Sequence, residues 1–131
     1  MNEAEKSPMA WVKKAENDLL CICNELNSSR IPWDIVCFHA QQASEKYLKA
    51  FLITHKVRPE YIHDLIRLLK DCTQFDPSLA SLEKDCRELN SCAADVRYPS
   101  FDDAADEIMG RAAVAAAERI CDTVRDHLPK S

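Results

Sequence analysis

Apolar residues recur every three or four positions along most of the chain, which is the spacing of helices that bury one face. The first such run extends from about Met9 to Leu26, and the longest extends from about Trp33 to His55. Pro32 precedes the longer run and is well placed to open a helix. Because that run carries apolar residues on more than one side, it predicts a central, largely buried helix.

The second half of the chain predicts three further helices. Pro59 ends a turn, and the apolar residues of 62–69 follow with helical spacing in a short helix. A fourth helix is expected to begin at Pro77. Ser100 and Asp103 resemble a capping box for an alanine-rich last helix that runs to about His127.

Length and composition narrow the fold class. A chain of 131 residues suits one domain with a single core, here residues 1–131. We therefore predict an all-α fold, an antiparallel bundle of four long helices plus one short helix. The only glycine is Gly110, so the glycine-rich loops that cradle phosphates are excluded, and a fold of many β-hairpins is disfavoured.

The charge balance is acidic overall but uneven. The net charge is −5, which by itself gives no reason to expect nucleic-acid binding. Residues 39–70 hold six basic and three acidic residues, a local charge of +3 against −8 for the remainder. This segment could present a site for a polyanion, although such asymmetry is more often just a solvated face.

The seven cysteines do not indicate a disulfide framework. Their number is odd, and the first residues contain no apolar stretch of the kind found in signal peptides. We expect free, mostly buried thiols in a cytoplasmic protein, and no apolar run is long enough to cross a membrane. No CxxC or HxxxH pair is present, so we expect no metal, and no cofactor is indicated.

A polar stripe runs along the long second helix. It consists of His39, Gln42, Lys46 and Lys49, spaced by three and four positions, with Gln41 and Glu45 on its flank. Polar side chains on an apolar helix must face solvent or find buried partners. The stripe is therefore a candidate ligand site. The alternative is a solvated face with one histidine satisfied by a neighbouring helix.

Two shorter segments add candidates. His63 and Asp64 follow the turn before the short helix, where Asp64 could simply cap that helix. Arg97 stands where two helices are expected to meet, and its guanidinium suits a phosphodiester or a helix carboxylate equally well.

Taken together, these segments resemble the HEPN domain family (higher eukaryotes and prokaryotes nucleotide-binding). Four stretches in the family's order carry the resemblance: WVKKAENDL at 11–19, FHAQQASEKYLKA at 38–50, HDLIRLL at 63–69 and RYP at 97–99. The second stretch is the most specific, and together they cover nearly the whole chain.

The resemblance implies a helical bundle that dimerises. It also implies a partnership with a minimal nucleotidyltransferase, encoded alongside, in a toxin–antitoxin or related two-component system. Catalytically active HEPN proteins are metal-independent RNases, whose motif pairs an arginine with a polar residue after it and a histidine a few positions further on. Two protomers contribute that motif to one cleft at the dimer interface.

This chain departs from the RNase motif. Arg97 matches the motif arginine, but Tyr98 replaces the polar residue, and the next histidine is His127. Arginine alone is a poor proton donor and acceptor. We therefore expect a module that binds its ligand rather than cutting it, and nucleotide and RNA are the candidate ligands. The alternatives are an endoribonuclease that uses Arg97 with a non-motif histidine, and a purely structural subunit.

Seven residues form the predicted ligand site. We expect three of them to contact phosphate: Lys46, Lys49 and Arg97. We expect the other four to orient these or to fix the bundle: His39, Gln42, His63 and Asp64.

Overall fold

The computed structural model describes residues 1–92 and 105–130, and within them the chain is helical with no strand. A 3₁₀ helix at Ala4–Lys6 precedes α1, and a second one at Pro77–Leu82 precedes α4. The α-helices are α1 (Pro8–Leu26), α2 (Trp33–Thr54), α3 (Leu65–Thr73), α4 (Glu83–Cys92) and α5 (Glu107–Asp126). The all-α prediction is confirmed.

The helix starts follow capping chemistry that is visible in the sequence. The Ser7 side chain accepts a hydrogen bond from the Ala10 amide, with Pro8 in the first helical position of α1. Asp106 caps α5 in the same way, accepting from the Met109 amide. The start predicted for the last helix near Ser100 is therefore too early, since α5 begins at Glu107. The predicted capping pair, Ser100 and Asp103, lies outside the described residues.

The predicted division into four long helices and one short helix is not confirmed in detail. Three of the α-helices are long, with 19, 22 and 20 residues for α1, α2 and α5. The other two, α3 and α4, have 9 and 10 residues. The fourth helical segment does begin at Pro77, as expected, but its first six residues are 3₁₀ helix rather than α-helix.

The helix directions depart from a fully antiparallel arrangement. The Trp33 ring, at the start of α2, lies against Gly110 near the start of α5. Further along both helices, Arg125 Nε donates to the Tyr47 hydroxyl at 3.1 Å. Hence α2 and α5 are parallel neighbours, and the antiparallel prediction is wrong for this pair. Between them in the chain, α4 runs antiparallel to α5, because its start pairs with Arg119 through Asp85 at 2.8 Å and its end at Cys92 shares a cavity with Met109.

The core centres on α2, as its apolar pattern predicts. Fourteen of its 22 residues are buried, and they pack against α1 on one side and α5 on another. The close approach of α2 and α5 explains the single glycine, because a Cβ on Gly110 would lie 2.4 Å from Cε3 of Trp33. The Tyr47 hydroxyl of α2 joins three helices, because it donates to Glu16 of α1 and accepts from Arg125 Nε of α5.

The cysteines are free thiols, as expected. Burial raises the pKa of three of them to about 12: Cys72, Cys86 and Cys121. No helix in the described part of the chain is long and apolar enough to cross a membrane.

Candidate functional site

The first half of the polar stripe lies in the interface between α1 and α2. Asp18 of α1 contacts two side chains of α2: Oδ1 lies 3.0 Å from His39 Nδ1, and Oδ2 accepts from Lys46 Nζ at 2.6 Å. The other ring nitrogen of His39 is 3.7 Å from Glu25. Burial raises the pKa of Glu25, and the nearby His39 opposes that shift. Both nitrogens of His39 therefore face carboxylates of this chain.

The second half of the stripe gathers around a buried carboxylate. Glu45 Oε2 lies 3.0 Å from Lys49 Nζ, and the two side chains are 5% and 6% exposed. Glu45 Oε1 lies 2.8 Å from His63 Nδ1 and accepts a hydrogen bond from Gln41 Nε2 at 3.2 Å. We call these four residues, together with Gln42, the Glu45 cluster. Gln42 joins it by donating to the side-chain oxygen of Gln41 at 2.7 Å.

The α2–α3 connection, residues 55–64, is attached to α2 through this cluster. Gln41 Nε2 donates to the backbone carbonyl of His63 at 2.8 Å, and Glu45 holds the ring of the same residue. A buried carboxylate and a buried amide thus fix one exposed residue of a connection in which Pro59 is the buried residue. Sequence analysis placed Gln41 and Glu45 only on the flank of the stripe, and it did not predict their contact with His63.

His63 is the outward-facing member of the Glu45 cluster. Its side chain is 81% exposed, whereas Glu45 is 5% exposed. Because an ionised carboxylate only accepts hydrogen bonds, Nδ1 of His63 carries the hydrogen in the contact with Glu45, and in the neutral imidazole Nε2 then holds the lone pair. A carboxylate that orients an exposed imidazole in this way is suited to proton transfer and to binding a ligand hydroxyl.

Asp64 caps α3. Its carboxylate accepts from the Ile66 and Arg67 amides at 3.0 and 3.4 Å and from Asn90 Nδ2 at 2.8 Å. The hydrogen bond from Asn90 is the main reason that the pKa of Asp64 is lowered. The capping interpretation is therefore confirmed, while a role for Asp64 in ligand binding stays a prediction.

An exposed aromatic residue occupies the same connection. Tyr61 is 71% exposed, and its hydroxyl donates to Glu5 at 2.8 Å. The guanidinium of Arg58 lies 5.9 Å from the centre of its ring. Sequence analysis did not single out Tyr61, because its exposure and its distance from Arg58 depend on the path of the connection.

The structure thus brings five of the seven predicted site residues into two groups joined by α2, whereas Asp64 caps α3 and belongs to neither group. Asp18 links His39 and Lys46, while Glu45 links Lys49 and His63. Arg97 lies outside the described residues, so its distance from either group is not given. Within residues 1–92 and 105–130, no three potential metal ligands cluster.

Comparison with known proteins gives a family. No curated protein and no solved structure is similar enough to the chain to match it. A family model for the HEPN domain matches residues 9–127, which include the α1–α2 interface and the Glu45 cluster. The resemblance carried by the four stretches at 11–19, 38–50, 63–69 and 97–99 is confirmed, and the chain belongs to the HEPN domain family.

Proposed function

We propose that this protein is a HEPN binding and interaction module that holds RNA or a nucleotide at the α2–α3 connection. The observation that carries the proposal is the exposed imidazole of His63, fixed by the buried Glu45. The family supports a nucleotide- or RNA-related role in general. The geometry supports this connection as the place where a ligand would contact the chain.

The neighbouring residues of the connection suit a single-stranded nucleic acid. Exposed aromatic rings serve as platforms on which unpaired bases stack, and arginine beside them contributes both charge and cation–π contact. Tyr61 and Arg58 supply this pair two to five positions before His63. In the proposed complex a base stacks on Tyr61, and His63 Nε2 accepts from a ribose hydroxyl.

The lysines of the stripe serve this site indirectly. Lys49 is almost fully buried against Glu45, and Lys46 is paired with Asp18 at 2.6 Å. Lys49 would have to leave its buried position before it could bind phosphate, and Lys46 would have to share its ammonium with Asp18. We therefore assign Lys46 and Lys49 to fixing the stripe, together with His39 and Gln42. Direct phosphate contact by Lys46, Lys49 or Arg97 stays a prediction.

Fluorescence anisotropy with labelled single-stranded RNA, tRNA and a labelled adenine nucleotide tests the binding site. Tyr61→Ala should weaken RNA binding about fivefold or more, because a stacked base contributes roughly 1–3 kcal/mol. Ile108→Ala is the control, since Ile108 is an exposed apolar residue that lies on α5, outside the proposed site. Equal losses in the two variants, or no RNA binding by the wild type, would contradict the proposal.

We further propose, from the family, that the module is a homodimer and the partner of a minimal nucleotidyltransferase in a toxin–antitoxin-like or related two-component system. Sedimentation equilibrium on the purified chain tests the dimer and should give twice the chain mass of 14.9 kDa. Cross-linking in the source cells followed by mass spectrometry tests the partner. A monomer at micromolar concentration would contradict the first claim, and cross-links only to proteins without a nucleotidyltransferase domain would contradict the second.

A second candidate function, metal-independent RNA cleavage, is favoured by the Glu45–His63 contact. His63 Nε2 would take the proton of a ribose 2′-hydroxyl as its oxygen forms a bond to the adjacent phosphorus. The bond from phosphorus to the 5′-oxygen would break, and water or a second protonated group would supply the proton for that oxygen. His39 suits this role less well, since both of its nitrogens face carboxylates.

An RNase assay on tRNA and single-stranded RNA, with and without EDTA, separates the two functions. Cleavage that resists EDTA and is lost in both His63→Gln and Arg97→Ala would establish the RNase and overturn the non-cleaving module. His39→Gln is the control histidine variant. If the wild type binds RNA and neither it nor any variant cleaves the RNA, the second candidate is excluded.

A further inference from the structure

A separate cavity lies where α1 begins, α2 ends and the chain leaves α5. Its volume is about 570 Å³, within the range of small-molecule sites. Its walls are largely aliphatic and include Met9, Ile53, Val57 and Leu128. None of the described residues that line it is aromatic, so a nucleobase would find no ring on which to stack. Such walls fit a flexible alkyl chain.

The rim of this cavity is positively charged. Lys6, Lys56, Arg58 and Lys130 line it, and no acidic residue is among its described lining residues. Lys6 also approaches Glu3 at 3.5 Å, where both side chains are well exposed. In a chain with a net charge of −5, four cations around one apolar opening reverse the local charge and complement an anionic group.

One of these cations is kept at a strained backbone position. Lys56 has a φ of 65°, the left-handed conformation that favours glycine or asparagine. It ends α2 in a Schellman motif, in which the Lys56 amide donates to the Ile53 carbonyl and the Val57 amide to the Leu52 carbonyl, both at 3.0 Å. The strain is a local cost that a glycine would avoid. The lysine adds a charge to the rim.

We propose that this cavity binds a medium-chain aliphatic carboxylate, with its alkyl chain against the aliphatic walls and its carboxylate at the cationic rim. This site is distinct from the Glu45 cluster and goes beyond the proposed nucleic-acid role, and Arg58 belongs both to its rim and to the Arg58–Tyr61 pair. Apolar burial supplies the affinity and the lysines and arginine select an anion. A ligand with the same alkyl chain and a neutral head group would bind to this cavity less well.

Methionine methyl NMR tests the proposal on the intact chain, because its three methionines report on different places. Met1 and Met9 line the cavity, whereas Met109 lies on α5 beside α4, away from the cavity. Titration with hexanoate, octanoate and decanoate should shift the Met1 and Met9 methyls saturably and leave Met109 in place. Each added carbon should tighten binding about threefold to fourfold until the cavity is full, and 1-decanol should bind more weakly than decanoate.

A pair of variants locates the binding. Met9→Glu places a carboxylate in the cavity wall and should weaken decanoate binding at least tenfold, read from the Met1 methyl. Leu20→Glu is the matched control, because both residues lie on α1 with 57% and 58% exposure and Leu20 does not line the cavity. The proposal is overturned if decanoate shifts no methyl or shifts Met109 equally, if both variants lose binding alike, or if ATP shifts Met1 and Met9 while decanoate does not.

Discussion

The buried ion pair on α2 gives a sharp test of the site geometry. Lys49→Met removes the ammonium that neutralises Glu45 and leaves a carboxylate that is only 5% exposed. Breaking one partner of a buried pair typically costs about 3–5 kcal/mol. Since Glu45 keeps its contacts with His63 and Gln41, we expect the lower end, a loss of about 3 kcal/mol in the free energy of unfolding.

The chain contains a control with the same spacing. Glu83 and Arg87 on α4 also form an i,i+4 pair, but their side chains are 56% and 68% exposed. Arg87→Met should therefore cost only about 0.3–0.5 kcal/mol. The double variant Glu45→Gln/Lys49→Met removes both buried charges, so it should be within about 1 kcal/mol of the wild type.

Urea unfolding at equilibrium, followed by circular dichroism at one protein concentration, measures all of these variants. A fixed concentration matters because a dimer would make the apparent stability depend on it. The reasoning is refuted if Lys49→Met costs no more than Arg87→Met. It is also refuted if the double variant is less stable than Lys49→Met alone.

Three further predictions address the packing, the pH dependence and the thiols. Gly110→Ala should lose about 1–2 kcal/mol of unfolding free energy despite its better helix propensity, because its Cβ meets Trp33, and Trp33→Leu should relieve most of that loss in urea titrations. Burial raises the pKa of Tyr47 to about 12, above about 10 in the unfolded chain. The protonated Tyr47 therefore makes its full contribution to the free energy of unfolding below pH 10, and this contribution is lost as the pH rises through 12. In Tyr47→Phe the free energy of unfolding should decline less over this pH range. A thiol reagent at pH 8 should modify exposed Cys23 within the native protein, but three buried thiols only after unfolding: Cys72, Cys86 and Cys121.

The sequence predicts the helices well because each depends on local features. The apolar spacing of 33–55 sets the length of α2 to within one residue, and Pro32 marks its start. The start of α5 was predicted too early, since several acidic residues near 102–107 can each cap a helix. Only the backbone shows that Asp106 takes this role.

The partners of the stripe could not be predicted in the same way. Helical spacing places His39 and Lys46 on one face of α2, but it does not tell which residue of α1 lies opposite them. Their shared contact with Asp18 depends on the direction and rotation of α1 against α2, which local periodicity does not contain. The parallel arrangement of α2 and α5 is likewise set by the path of the chain between them.

The energetics of the Glu45 cluster favour a positioning role over a purely structural one. A well-packed apolar group in place of a buried ion pair is often neutral or stabilising, so stability alone gives little reason to place Glu45 and Lys49 in the core. What the pair provides is a fixed carboxylate, and that carboxylate holds a histidine whose ring is 81% exposed. A structural subunit would gain an anchored connection from this contact, but it would not need the exposed face of the imidazole. A module that recognises a ligand at the α2–α3 connection gains a donor–acceptor group whose position is set before the ligand arrives, which lowers the ordering cost of binding.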